Sequence, residues 1–380
     1  MNKAALRVAL LAGTLGQGGA EKQLVYIVAS LIELGADVRV FSLTRGEFWE
    51  PALRSLGVQP IWIGRFSNPG IRVGALARVL IEFKPHILQS AHFFTNLYVT
   101  IAGRLCGTMA IGSIRCDADY GVKGNGYWGK PLIRLPPSLL TNSFAAKRNA
   151  ERLGVEPRRI HVLPNVIDIS DFTRQMCQGG SQVLSVNGPL IIAVGNLIAV
   201  KRFDRFLTAL AIARQKIKDL KGIVVGDGPE KHLLESMAAD LGLLSHNGVR
   251  FVGRRHDVAK LLSHADMLVL ASDHEGFPNV LLEAMAARLP VVATPAGDAE
   301  NIVQDGVTGF LVQFDDAPAM AERIVRLARS ADLRRRLGEA GRRRVEQHYD
   351  FKHLAVRLKS VYRDIARQQN RRPLMDDFDD

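Results

Sequence analysis

Residues 274–286 read HEGFPNVLLEAMA and place two carboxylates, Glu275 and Glu283, eight positions apart. Along a continuous helix that spacing spans about 12 Å, too far for the pair to share one proton. The segment is not a continuous helix, however. A strand-like run, MLVLAS, ends at Ser272, DHEGFPN turns a corner, and Pro278 suits a first helical position ahead of VLLEAMAA. Glu275 is then expected in a strand-end loop and Glu283 more than one turn into a helix. Carboxylates placed that way can address different parts of one extended ligand. A solvated surface pair is the plainer alternative.

Cations and glycines stand at two similar corners. In GNLIAVKRFD (195–204), Lys201 and Arg202 fall at a helix start, where the helix dipole disfavours positive charge and an anionic partner is called for. A diphosphate on one of them is the expected partner, and ordinary surface charge is the alternative. In GTLGQGGAEK (13–22), Gly16, Gly18 and Gly19 allow close backbone approach before a helix that presents unpaired amides to an anion. A dinucleotide fingerprint fails there: the third glycine is out of register, and Phe41-Ser42 stands where an acid belongs. The CDAD stretch (116–119) holds a D-x-D triplet of the kind that binds a divalent cation elsewhere, but it is too short to carry a metal site, so no metal and no cofactor is expected.

The elements that must position these loops alternate. Strand candidates at 6–12, 37–42, 58–63, 86–90, 110–114, 139–142 and 160–164 are interleaved with helices, among them EKQLVYIVASLIELG, whose Leu24, Ile27, Val28, Leu31 and Leu34 form one stripe. Residues 174–189, glycine-rich and polar, read as a linker. A second series follows: strands LIIAVG, KGIVVG, VRFVG, MLVLAS and VVAT, with helices at 202–217, 230–241, 258–264 and 279–287 between them. Final helices at 317–330, 331–346 and 351–367 are long enough to pack across both halves. The rhythm predicts two α/β domains with doubly wound parallel sheets, and ligands beyond the carboxyl ends of their strands.

Composition excludes several classes. A chain of 380 residues, 47% hydrophobic, buries a large core and favours two domains. Cys106, Cys116 and Cys177 form no CxxC pair and no even framework, which fits a reducing compartment. The N-terminus resembles a secretory signal in charge and apolarity but lacks a small-residue cleavage site, so a first strand is expected. No apolar run reaches the ~18 residues of a spanning helix. Net charge is +12, and residues 322–372 carry 16 Lys or Arg against 6 Asp or Glu. Solvated helix faces explain this most simply; contact with anionic lipid headgroups is the second reading, and nucleic acid is not expected without an aromatic platform.

EGFPNVLLEAMA resembles the E-x7-E signature of the retaining GT-B glycosyltransferases of glycosyltransferase family 4. GQGGAEK, LTNSFAAKR, VLPNVIDISDF, AVGNLIAVKRFDRFL, GDGPE, RFVGRRHDV and PVVATPAGDAENIVQDGVTGFLV resemble that family's blocks in the same order, from residue 6 to about 365. The resemblance implies two Rossmann-like domains facing across a cleft: 1–173 on the acceptor side, a linker at 174–189, 190–350 for the nucleotide sugar, and a C-terminal helix, 351–370, returning to the first domain. It also implies roles. Glu275 would hold donor-sugar hydroxyls and Glu283 the ribose; Lys201, and Arg202 as a second cation, would neutralise the diphosphate. Gly276, Phe277, Pro278 and Asn279 would present amides to the donor, with Gly253 and Arg254 beside them and Gly18 and Gly19 approaching from the first domain. His92, in SAHFFTNLY, matches a histidine near the reacting sugar, although a histidine beside phenylalanines is often a packed one. The family often has arginine where this chain has Asn196, which puts the charge arrangement around the diphosphate in doubt. The implied activity is transfer from a nucleoside-diphosphate sugar, UDP before GDP, to a glycan or lipid-linked acceptor. It would take place in the cytoplasm, at the inner membrane face where the protein binds membrane at all. A nucleotide-sugar epimerase of similar layout and a non-catalytic nucleotide-sugar-binding protein are the alternatives.

Overall fold

The computed structural model describes residues 5–115, 122–178 and 187–371. The D-x-D triplet, Cys116, half of the expected linker and the acidic tail lie outside the described residues. The chain divides into two compact units: residues up to Val166 together with those from Phe351 onward, and Ile167–Asp350.

The first unit is built on β1 (Arg7–Ala12), β2 (Asp37–Ser42), β3 (Ile61–Trp62), β4 (Ile87–Ser90), β5 (Met109–Ile114), β6 (Leu139–Thr141) and β7 (Ile160–Val162). All pair in parallel, in the order β3-β2-β1-β4-β5-β6-β7. Val8 to Ala12 are fully buried, as a central parallel strand covered on both faces requires. Of the expected strand at 58–63 only Ile61–Trp62 pairs, because Pro60 cannot donate to a ladder.

The second unit contains β8 (Leu190–Val194), β9 (Lys221–Val225), β10 (Val249–Phe251), β11 (Met267–Leu270), β12 (Val291–Ala293) and β13 (Gly309–Leu311), again all parallel, ordered β10-β9-β8-β11-β12-β13. Periodicity does not reveal β13, which is three residues long and opens with a glycine. Each sheet reverses its winding once, between β1 and β4 in the first and between β8 and β11 in the second. Those reversals open crevices at the strands' carboxyl ends.

One boundary differs from the sequence expectation. Residues 167–173 belong to the second unit, because Ile167, Ile169 and Phe172 are buried among Leu261, Leu281 and Val345; the helix Ile169–Cys177 also takes the first residues of the expected linker. The final helices divide between the units, the last falling in the first unit as the expected C-terminal helix 351–370 does. Ala317–Arg329 and Ala331–His348 lie in the second unit, and Leu354–Gln368 lies in the first. Leu354, Leu358, Tyr362, Ile365 and Ala366 recur at helical spacing and join the first unit's core with Leu24, Ile27 and Leu31. Each such leucine contributes on the order of 2 kcal/mol by its burial.

The basic runs act within the second unit. Arg334 donates to the carbonyls of Leu327 and Ala328 at 2.9 and 3.1 Å, Arg342 to Ala286 at 2.6 Å, and Arg344 to Ile302 and Asn301 at 2.8 and 2.6 Å. These carbonyls close helix C-termini, where cations are favoured. The arginines expected on open helix faces are thus partly caps. Among the described residues no helix is long and apolar enough to cross a membrane.

Candidate active site

At the second unit's reversal, the loop after β8 meets the loop after β11. Lys201 ends a 3-10 turn, Ala199–Lys201, and its Nζ lies 2.6 Å from both carboxylate oxygens of Glu275. Ser272 Oγ donates to Glu275 Oε1 at 2.8 Å, and Thr294 Oγ1, just past β12, donates to the Ser272 carbonyl at 2.6 Å. The Asp273 amide donates to the Val200 carbonyl at 2.9 Å, which locks the two loops together. Gly297 closes the back of the Glu275 turn. Its φ is +59°, and a Cβ there would sit 2.6 Å from the Glu275 carbonyl oxygen, so glycine is required on both counts.

Arg202 does not offer an open guanidinium. In the left-handed region at φ +48°, it donates from Nε and Nη2 to Asp204 at 3.0 Å each, and from Nη1 to Asp273 at 2.9 Å and Asp315 at 3.1 Å. Arg205, almost wholly buried, reaches Asp273 and Asp315 at 2.7 and 2.6 Å and also donates to the Ala271 carbonyl. Burial alone would raise the Asp273 carboxyl, but hydrogen bonds from Arg202 and Arg205 outweigh it and hold the group below the usual range. Asn196 is exposed beside this web and supplies no cation. The expectation of Arg202 as a second diphosphate cation thus meets a guanidinium already engaged on all three nitrogens.

The helix carrying Glu283 runs Asn279–Ala286, with Pro278 as its N-cap rather than its first residue, because ψ of 85° keeps that proline extended. Glu283, the fifth helical residue, is half-buried. Phe277 is a core residue, packed edge-on against Tyr349 at 6.0 Å, so only its backbone is available to a ligand. Gly276 is half-buried in the turn. After β10, Gly253 at φ +69° accepts from the Gly226 amide at 2.9 Å, and Arg254 is exposed.

The first unit's reversal, between β1 and β4, is organised around His92. Gly13 N donates to His92 Nδ1 at 3.0 Å, and a backbone amide can only donate, so Nδ1 is the acceptor. The ring proton therefore sits on Nε2, which is 3.0 Å from Glu21 Oε1. Phe94 stacks on the ring at 5.5 Å. Glu21 lies in the first turn of the helix Gly19–Glu33, and a Cβ on Gly18 would fall 2.2 Å from its Oε2. Gly18 therefore makes room for Glu21, a reason the expected phosphate contact does not supply; Gly19, the first helical residue, is exposed.

The neighbouring loop already carries an internal anion. Glu47 accepts from Thr14 Oγ1 at 3.0 Å, from Thr44 Oγ1 at 2.5 Å and from the Leu15 amide. Burial pushes its carboxyl up, but these hydrogen bonds hold it below the usual range. Sequence reasoning missed Glu21, Glu47, Arg205 and Asp273. The first and third leave a faint signal: Glu21 stands three residues after Gly18, and Arg205 lies three after Arg202 on the same helix face. Among the described residues, no group of three or more His, Cys, Asp or Glu side chains is arranged to hold a metal ion.

Family models match both units: glycosyltransferase family 4 over residues 17–171 and glycosyl transferases group 1 over residues 181–344. An N-acetyl-α-D-glucosaminyl L-malate synthase of Bacillus anthracis is 30% identical over 197 residues, 52% of this chain and 51% of that protein. The lipopolysaccharide core biosynthesis glycosyltransferase LpsE of Rhizobium meliloti is 32% identical over 182 residues, 46% of this chain and 50% of its own length. The chain thus spans about half the length of the curated relatives it matches. Anabaena Alr3699/HepE, solved in complex with UDP and glucose, superposes with a TM-score of 0.80 at 21% identity, covering 93% of this chain and 98% of that one, a likeness of fold.

Proposed function

Because the chain belongs to the GT-B glycosyltransferases of family 4, we propose that it moves a sugar, with retention, from a nucleoside-diphosphate sugar to an acceptor hydroxyl. UDP is preferred over GDP as the carrier, and the acceptor is a glycan or lipid-linked precursor of cell-surface polysaccharide, lipopolysaccharide or glycolipid. The observation that carries this reading is the contact of Lys201 Nζ with the Glu275 carboxylate at 2.6 Å, at the reversal of the second sheet. The likeness to a fold solved with UDP supports the choice of carrier. We place the work in the cytoplasm, with the lipid-linked acceptor met at the membrane's inner face.

In the reaction the bond from the anomeric carbon to the β-phosphate oxygen breaks, and a bond from that carbon to the acceptor oxygen forms on the same face. The acceptor's proton passes to the departing diphosphate. Negative charge grows on the leaving group while positive charge grows on the sugar ring. A preorganised cation and backbone amides lower that barrier. Lys201 is the group placed to do so, exchanging part of its contact with Glu275 for the diphosphate. Glu275, still held by Ser272, then turns to the sugar hydroxyls, and Glu283 takes the ribose. Lys201 supplies countercharge that a metal supplies in other folds.

The test is a panel of UDP- and GDP-sugars, screened by thermal shift because a ligand that binds only the native state raises the melting point. Stabilising donors are then incubated with and without acceptors, and the product's anomeric configuration is read by NMR. Transfer from a UDP-sugar with retention is expected. Conversion of donor alone into a different nucleotide sugar would mark an epimerase, and donor binding without turnover across the acceptors would mark a binding protein.

A further inference from the structure

The carboxyl ends of β5, β6 and β7 in the first unit are not used by the reading above, yet polar side chains follow each: Arg115 and Asn142 directly after β5 and β6, and Asn165 three residues past β7. Arg115 Nη1 donates to Asn165 Oδ1 at 3.2 Å, and Asn142 Nδ2 donates to the Arg115 carbonyl at 3.4 Å. Asn142 and Asn165 are only 2% and 3% exposed, and Asn142 Oδ1 is buried without a hydrogen-bond partner. Among the described residues no carboxylate forms an ion pair with Arg115. Arg205, a buried arginine of the second unit, has two. Desolvation draws the Arg115 guanidinium down to about 10, opposed in part by Tyr362, and the Tyr362 phenol is itself pushed up by burial.

Desolvating a cation is costly unless it is paired, and a guanidinium matches the planar fork of a carboxylate or phosphate. In a doubly wound sheet these strand ends are where ligands bind. We propose that Arg115, Asn142 and Asn165 form a receptor for an oxyanion, the carboxylate or phosphate group of the sugar acceptor. Arg115 supplies the charge, Asn165 fixes the guanidinium plane, and the unused Asn142 Oδ1 accepts from a hydroxyl of the same molecule. Calling the ligand the acceptor rests on the glycosyl-transfer reading; the receptor itself does not.

The full chain is titrated with inorganic phosphate and, separately, with malonate at constant ionic strength, in the absence and presence of saturating UDP. Saturable binding of at least one probe, undiminished by UDP, is expected. Arg115→Gln weakens it about ten-fold or more, as loss of a charge-assisted pair does. Asn142→Asp does the same by adding a negative charge to the receptor that repels an oxyanion, and it keeps the proposal testable should Arg115→Gln not fold. Arg115→Lys keeps the charge and loses less. UDP affinity in the folded variants stays within about two-fold of the parent, since the second unit is untouched. No saturable binding, equal binding by Asn142→Asp, or full displacement by UDP overturns the proposal. Should UDP fail to bind while phosphate binding still depends on Arg115, the receptor stands and the reading of the second unit falls.

Discussion

The two sheet reversals occupy equivalent places in equivalent folds and solve the same problem with different electrostatics. In the second unit the crevice is laced with ion pairs: Lys201 with Glu275, and Arg202 and Arg205 with Asp204, Asp273 and Asp315. In the first, a neutral histidine bridges a backbone amide and Glu21, and Glu47 is satisfied by hydroxyls and an amide rather than by a cation. A web whose three cations are all engaged by its four carboxylates can admit a dianionic diphosphate only by exchanging partners, so Lys201 must leave one oxyanion to meet another. A network of hydrogen bonds without an arginine or lysine instead holds loop shape. Doubly wound topology decides where a site is, and the side chains on its loops decide whether that site handles charge or geometry.

The largest expected effect breaks the charged side of this contrast. Lys201→Ala and Glu275→Ala should each lower kcat/KM for transfer by roughly a hundred- to a thousand-fold, the range seen when one preorganised stabilising group is removed. The double variant should be little worse than either single one, because the two side chains act as a unit. Circular dichroism and melting curves establish that the fold survives, and near-normal turnover in both single variants would remove this crevice from the chemistry. A smaller effect probes the neutral side. Glu21→Ala releases His92 Nε2 and should cost about ten-fold in transfer. Glu21→Gln still offers an oxygen acceptor and should recover most of the activity. Equal damage from both would mean that charge, not geometry, matters there too.

Much of the fold was legible because parallel strands buried on both faces read as apolar runs of fixed length, and the strands from Arg7 and Asp37 begin within one residue of expectation. Glu275 and Lys201 were legible because the chemistry is concentrated in two short loops. What remained hidden was partnership. Asp204 stands two residues from Arg202, but nothing local announces Asp273 and Asp315, which come from distant parts of the chain, and Gly18 resembles a phosphate-loop glycine while its lost Cβ serves Glu21. The 167–173 boundary was missed for a related reason: glycine and polar content mark where a linker looks flexible, whereas the burial of Ile169 and Phe172 decides which core owns the segment.

The smallest expected effect separates the two units by pH. His161, on β7, has its Nε2 buried without a partner, and burial lowers its pKa below 6.5, with opposing smaller contributions from Asp364 and Lys147. A base whose folded pKa is depressed takes up a proton more readily when unfolded, so its contribution is intact above pH 6.5 and shrinks as pH falls through the folded value. In the second unit the depressed groups include carboxylates such as Asp273, whose contribution is intact above its ordinary value of 3.8 and is lost only as pH falls lower. Mild acid should therefore soften the first unit before the second. The chain has three tryptophans, Trp49, Trp62 and Trp128, and all lie in the first unit, so their fluorescence reports that unit selectively. Between pH 7 and 5.5 the fluorescence melting midpoint should decline more than that of amide exchange in the second unit's strands. His161→Gln should flatten the decline, and a parallel decline in both units would place the acid-sensitive group elsewhere.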